Sequence, residues 1–281
     1  MSRPALLAVA HGTRHASGQA QVRALVAAVR RRRPDLDVRV AYLDIERPSL
    51  HAVVAGLDRP AVAVPLLFAT GHHVRVDIPD AVRGTPVVTA RPFVPDPALT
   101  VALTARLAEV GGLDADAIVL AAAGSSDPGA GADVHRVAGD LAAATGRPVL
   151  PGYASAARPR VEEAVARLRE SGAGRVVVAA MLLADGHFHR SLATTGADAV
   201  SRPLGRHPAM VELILSRYQQ ARYQQARPGM SGARRTLGGH HEVAAAAPQD
   251  HTVTTPPAGT PGPRRRGTPR TSPSSPARRT P

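Results

Sequence analysis

Cysteine is absent from the 281 residues, and so are lysine and tryptophan. Without cysteine there is no disulfide, no thiolate metal site and no thiol nucleophile. A metal can be held only by imidazole, carboxylate or backbone oxygen, which favours borderline or harder divalent ions. Aromatic residues are few, three Phe and four Tyr, too sparse for the stacking platforms of single-stranded nucleic-acid binders. No apolar run approaches the roughly 18 residues of a membrane span. Met1-Ser-Arg-Pro leads straight into an apolar strand, with no signal-peptide pattern. The default expectation is a soluble cytoplasmic protein with no membrane partner. Neither Gly-x-Gly-x-x-Gly nor Gly-x-x-x-x-Gly-Lys-Ser/Thr occurs, so no phosphate-cradling glycine loop is present.

The formal charge of +13 is carried entirely by arginine, which looks like a bias of GC-rich coding. Residues 227–281 hold nine Arg against two acids, Glu242 and Asp250, whereas residues 1–226 hold 26 against 20. Half of the excess therefore belongs to a Pro/Thr/Ser/Gly/Arg tail with almost no apolar content, which is expected to be disordered. His240 and His241 lie there and read as solvated. The remaining surplus suits an acidic small ligand as well as a nucleic acid, and with no recognition motif no nucleic-acid partner is expected. Removing residues 227–281 should leave thermal stability and activity intact; a truncated chain that loses most of either would show that the tail packs or functions.

The rest alternates strands with helices. Ala5–Ala10 is a short buried strand, and Val22, Leu25, Val26 and Val29 mark an amphipathic helix over Gln19–Arg33, stopped by Pro34. Asp37–Leu43 is a second strand, Ser49–Leu57 a short helix and Ala61–Phe68 a third strand, apolar throughout. A His-His loop, a helix over Ile78–Arg83, a strand over Pro86–Thr89 and a helix over Ala98–Val110 follow. The plan then repeats, with strands over Ala117–Ala122, Arg147–Tyr153, Arg175–Leu183 and Asp198–Pro203. Helices over Ala132–Thr145 and Pro159–Glu170, and one beginning at Pro208, accompany them. Such alternation predicts parallel, doubly wound, flavodoxin-like sheets with right-handed crossovers, here one four-stranded sheet in each half.

Three segments of the first half recur in the second. Ala10-His-Gly-Thr-Arg matches Ala122-Ala-Gly-Ser-Ser, and Leu67-Phe-Ala-Thr-Gly-His-His matches Leu182-Leu-Ala-Asp-Gly-His-Phe. Arg91-Pro-Phe-Val-Pro-Asp-Pro-Ala matches Arg202-Pro-Leu-Gly-Arg-His-Pro-Ala at a constant offset of 111. An internal duplication explains all three, giving expected domains at 1–112 and 113–226. The halves differ where it matters: His11 becomes Ala123, and His73 becomes Phe188.

In an open α/β sheet, ligands bind beyond the carboxyl ends of the strands. His11 ends the first strand and His73 follows the third, so both loops open on one edge and two imidazoles can converge. Neutral imidazole binds borderline divalent ions, and two protein ligands leave positions open for exchange. An imidazole also takes a proton near neutral pH. Gly12, next to His11, suggests close approach of backbone to a ligand. Arg14, Arg47 and Arg75 lie on the same expected edge as candidate carboxylate binders. Asp44 is a candidate third ligand or base, or else a helix cap. His72 persists in the second half as His187, which argues for a wall or structural role; His187 and His189 are not expected as primary ligands.

The segments Ala-His-Gly-Thr-Arg14, Leu43-Asp-Ile-Glu-Arg-Pro-Ser-Leu50 and Pro65-Leu-Leu-Phe-Ala-Thr-Gly-His-His-Val-Arg-Val-Asp-Ile-Pro79 resemble the sirohydrochlorin chelatases of the CbiX type. The similarity covers about residues 4–226. It implies two tandem chelatase-like domains and insertion of a divalent metal, Co2+ or Fe2+, into the tetrapyrrole sirohydrochlorin, for cobalamin or sirohaem synthesis. By residue-wise match, His11 falls on the family's metal-binding general base and His73 on its second metal ligand. Ala69, Thr70, Gly71, His72, His73 and Val74 fall on its tetrapyrrole-binding loop, and Arg47 on a substrate-binding position. Ala123 and Phe188 depart from the pattern, implying one active centre per chain. No cofactor beyond the metal substrate is implied, and a monomer with two pseudo-symmetric domains is expected. The rival reading is a flavodoxin-like protein that binds a metal or tetrapyrrole without chemistry, since fold alone does not settle function.

Overall fold

The computed structural model describes residues 3–225; the tail expectations, His240 and His241 included, lie outside the described residues. Two parallel four-stranded sheets form, from β1 (Ala5–Ala10), β2 (Val38–Tyr42), β3 (Ala61–Pro65) and β4 (Val87–Thr89), and from β5 (Ala117–Ala122), β6 (Val149–Tyr153), β7 (Val176–Ala180) and β8 (Ala199–Val200). Their orders are β2-β1-β3-β4 and β6-β5-β7-β8. The central strands β1 and β5 are buried along their whole length, as expected of parallel strands covered on both faces.

The covering helices are α1 (Ala16–Arg32), α2 (Leu50–Ala55), α3 (Ile78–Val82), α4 (Pro97–Ala108), α5 (Pro128–Thr145), α6 (Val161–Glu170), α7 (His187–Ser191) and α8 (Pro208–Gln225). Alternation along β1 sends Ala5, Leu7 and Val9 to an outer core with Leu50 and Ile78. Leu6, Ala8 and Ala10 turn the other way, into a core that also holds Ile118 and Leu120 of β5. That second core belongs to both sheets, with Leu25 of α1, Leu103 of α4, Val137 of α5 and Leu213 of α8 inside it. The duplicated halves are thus fused through one interior. No helix among the described residues is long and apolar enough to cross a membrane.

Two arginines lock this interior reciprocally. Arg217 of α8 is 1% exposed; it donates to the carbonyls of Pro92, Phe93 and Pro95 and pairs with Asp96 at 2.9 Å. Arg106 of α4 reaches the Leu204 carbonyl at 3.2 Å. Arg106 and Arg217 are 111 positions apart, as are Phe93 and Leu204. Each half therefore sends an arginine into the strand-to-helix loop of the other, a signature of pseudo-two-fold symmetry retained after duplication.

The differences from the sequence expectations are local. Helix α5 begins at Pro128, four residues early, because the Asp127 carboxylate accepts the Gly129 N–H at 2.8 Å and proline suits the first turn. Strand β3 stops at Pro65, so Leu66–Phe68 already belong to the loop. The His-His segment is not a loop throughout: His73–Asp77 forms a π-helical turn that runs into α3. Residues His187–Ser191, to which the sequence pattern assigns no element, form the short α7.

Candidate active site

Why His11 stands where it does follows from the backbone around it. At Gly12 (φ +99) an added Cβ would lie 2.3 Å from the Asp44 carbonyl oxygen, so only glycine lets the loop after β1 press against the loop after β2. Asp44 N–H donates to the His11 carbonyl at 3.0 Å, and Thr13 N–H donates to Glu46 Oε1 at 3.0 Å. The Glu46 side chain is only 8% exposed. Between them, Ile45 holds φ +62, with Glu46 N–H donating to the Asp44 carbonyl at 2.6 Å and Asp44 Oδ1 accepting the Ile45 N–H at 2.7 Å. This is a γ-turn with a β-branched residue at its centre. Such backbone costs about 1–3 kcal/mol and persists where the surroundings impose it.

The loop after β3 brings the second imidazole. Thr70 N–H donates to Asp133 Oδ2 of α5 at 3.0 Å, and Arg75 Nε lies 3.4 Å from Asp127 Oδ2. The π-turn closes with Ile78 N–H on the His73 carbonyl; π-turns at helices are frequent at functional sites. The His73 ring lies 4.7 Å from the His11 ring, centroid to centroid, at 76°. His73 Nδ1 meets Asp77 Oδ2 at 2.5 Å, and His72 Nε2 lies 3.5 Å from Asp77 Oδ1. Since a carboxylate accepts, a neutral His73 ring carries its proton on Nδ1 and leaves the Nε2 lone pair free. His11 Nδ1 lies 3.2 Å from the Gly12 carbonyl, an obligate acceptor, which likewise frees Nε2. Two basic nitrogens thus remain available to a metal or a proton.

The second half presents a different surface. Its loop after β7 is held on α1, with Asp185 N–H donating to Gln21 Oε1 and Ser17 Oγ donating to Asp185 Oδ2, both at 2.8 Å. This mirrors the Thr70–Asp133 contact, so each half clamps the other's loop. Hydrogen bonds from Arg190 and Ser17 hold the Asp185 carboxyl below its ordinary pKa. His189 is engaged structurally, its Nε2 3.0 Å from the Ser201 carbonyl. His187 is exposed beside Phe188, their ring centroids 5.8 Å apart.

Between the two loop sets lies a cleft of about 770 Å³, lined by both halves, within the usual range for a small-molecule site. His11, His73, Ala69, Gly71, His72 and Val74 line it. So do Arg14, Ile45, His187, Phe188 and His189. Thr70, Asp44, Arg47 and Arg75 are not among the lining residues. Thr70 and Arg75 face α5 in the contacts above, Asp44 braces the γ-turn, and Arg47 is exposed before Pro48. Among the described residues no group of three or more His, Asp or Glu converges as a metal site.

Two carboxylates escaped the sequence reading. Asp77 reads there as part of a helix start, and Glu46 only as a member of the segment that follows the second strand. The cue was spacing: Asp77 follows His73 by four residues, within reach on a helical turn. A carboxylate on the far nitrogen of a metal-binding imidazole fixes its orientation and basicity, and its loss typically costs 10- to 100-fold in affinity. Asp77→Asn should therefore weaken cobalt binding by about 10- to 100-fold with little change in melting temperature. Calorimetric titration with Co2+ checks this, and an unchanged affinity would mean that Asp77 does not act through His73.

The fold and cleft define a duplicated, flavodoxin-like α/β protein with a pair of imidazoles at the carboxyl edge of one sheet. The CbiX family model matches residues 5–110 and again residues 117–221. The chain belongs to the CbiX family. A stretch of 85 residues, 29% of this chain, is 27% identical to a sirohydrochlorin cobaltochelatase from Methanococcoides burtonii, and it spans 65% of that relative's length. The structure of SirB from Bacillus subtilis with Fe3+ superposes with a TM-score of 0.68 at 22% identity, covering 80% of this chain and 98% of that one. That of the sirohydrochlorin chelatase SirB from Bacillus subtilis subspecies spizizenii in complex with cobalt gives 0.65 at 23% identity, over 79% and 97%. These likenesses establish the shared fold of the whole two-half unit.

Proposed function

We propose that the chain is a sirohydrochlorin chelatase that inserts a divalent metal, Co2+ or Fe2+, into the tetrapyrrole within the cleft. The observation that carries this reading is the His11–His73 pair, 4.7 Å between ring centroids, at the wall of a cleft lined by both halves. Family membership and the chelatase relative support it.

The chemistry follows from the groups in place. The metal arrives as substrate and is taken by the free Nε2 of His11 and His73, with Asp77 orienting the latter. Few protein ligands hold it loosely, so pyrrole nitrogens can displace them. As the metal enters, two pyrrole N–H bonds break and two protons leave; His11, adjoining the macrocycle's place in the cleft, accepts from the pyrrole nitrogens and passes protons to solvent. Sirohydrochlorin carries eight carboxylates around an apolar ring. Arg14, exposed at the cleft and without an ion pair or hydrogen bond among the described residues, suits its periphery. Ala123 and Phe188 leave the second half without the imidazole pair, so one active centre per chain is expected.

Insertion is followed as the change in the tetrapyrrole's visible absorption when metal is added. In His73→Ala the metal concentration for half-maximal rate should rise by roughly tenfold or more, and high metal should restore part of the rate. A His73→Ala enzyme with an unaltered metal dependence would contradict this assignment.

A further inference from the structure

Ile45 is expensive where it stands. A left-handed φ of +62 suits glycine, yet the position holds a β-branched residue that is 45% exposed. The core gains little from it, so folding does not explain its retention in a strained turn. The side chain lines the cleft. In the second half Ala156 occupies the equivalent turn, 111 positions on, at φ +52 and also at the cleft, but without an apolar chain. The converse holds at the other loop. There the first half has His73 and the second has Phe188, 38% exposed and lining the same cleft. The other two Phe of the chain, Phe68 and Phe93, pack on each other at 5.6 Å. Phe68 also borders the cleft but is half-buried against Phe93, whereas Phe188 is the exposed one of the three.

We propose that Ile45 from the first half and Phe188 from the second are the apolar contacts that hold the flat face of the macrocycle against the His11–His73 pair. This rests on the tetrapyrrole reading above and goes beyond it by naming what grips the ring, as distinct from what handles the metal or the peripheral carboxylates. A planar, apolar centre needs apolar walls, and a ring bound between them buries both side chains that the free protein leaves in water. The backbone strain at Ile45 aims that side chain into the cleft before substrate arrives. The two halves have therefore diverged in complementary ways: one keeps the imidazoles and a large aliphatic wall, the other exchanges an imidazole for an aromatic wall.

The test is titration of metal-free protein with sirohydrochlorin, alongside thermal melting and a separate Co2+ titration without tetrapyrrole. Ile45→Ala and Phe188→Ala should each weaken tetrapyrrole binding by roughly tenfold or more, while Ile45→Val and Phe188→Leu stay within about threefold of wild type. Cobalt affinity of Phe188→Ala should stay within about threefold, since no metal-binding group is touched. Ile45→Gly separates the proposed role from a structural one: it should melt at or above the wild-type temperature, because glycine relaxes the turn, and still bind the tetrapyrrole more weakly. Tight wild-type binding that neither Ile45→Ala nor Phe188→Ala weakens would overturn this inference and leave the chelatase reading standing. An Ile45→Gly chain that melts well below wild type would also overturn it, by showing that the side chain serves the fold. Wild-type protein that binds no sirohydrochlorin would remove both.

Discussion

In His11→Ala, metal insertion should fall by about 10²- to 10⁴-fold, the usual worth of a positioned proton acceptor, and the defect should persist at saturating metal. His11 is exposed, and its side chain meets only the Gly12 carbonyl and the edge of the His73 ring, itself at the cleft, so the variant should melt with the wild type. Loss of a ligand alone is compensated by raising metal; loss of the base is not, because the pyrrole protons still need an acceptor near the ring. The contrast with His73→Ala is the informative part. His73 has its Nδ1 proton committed to Asp77 and is assigned to metal capture. Its defect should shrink as metal rises, while that of His11→Ala should not. Initial rates over a range of Co2+ and Fe2+ for both variants check the division. Recovery of His11→Ala to near-wild-type rates at high metal would reduce His11 to a ligand.

In Arg217→Met, thermal stability should drop by about 3–5 kcal/mol, the scale of breaking a buried pair by removing one partner. For a chain of this size that corresponds to a fall of roughly 6–20 °C in melting temperature. The cost arises from what stays behind. The carbonyls of Pro92, Phe93 and Pro95 lose their donor, and Asp96 loses its cation while still capping α4 through the Ala98 N–H. Burial lowers the Arg217 pKa from its ordinary value, against the opposing pull of Asp96, yet a guanidinium remains charged. Lysine should not rescue, since one ammonium cannot serve the five acceptors, Gln220 Oε1 among them, that the planar fork reaches. Because Arg217 ties α8 to the loop entering α4, the loss is expected in one cooperative transition of both halves. Differential scanning calorimetry measures it, and a shift under about 2 °C would show that the shared interior carries this knot at no cost.

Much of the fold is legible in the sequence because parallel strands buried on both faces are written as unbroken apolar runs. Ala5–Ala10 and Ala117–Ala122 are read to the residue. The duplication is visible in three matched segments, and the fusion of both halves into one interior is not. That fusion depends on which faces of α1, α4, α5 and α8 meet, and amphipathic patterning does not name the partner. The convergence of His11 and His73 is foreseeable from strand ends sharing an edge. The roles of Asp77 and Glu46 arise from a π-turn and a γ-turn, neither of which has a compositional signature. Arg75 shows the opposite limit: an arginine at the right edge turns outward to Asp127 of the other half, a choice made by tertiary contact alone.

Insertion of metal into a tetrapyrrole, as proposed for the cleft, can be measured directly. The direct measurement is the initial rate of spectral conversion of sirohydrochlorin with Co2+, and separately with Fe2+, in the presence and absence of the full-length protein. The account predicts that the rate rises in proportion to protein concentration with at least one of the two metals, and that removing the metal with a chelator abolishes it. Conversion no faster than in protein-free solution with both metals, by protein that nonetheless binds sirohydrochlorin, would contradict catalysis and leave a binding protein in its place.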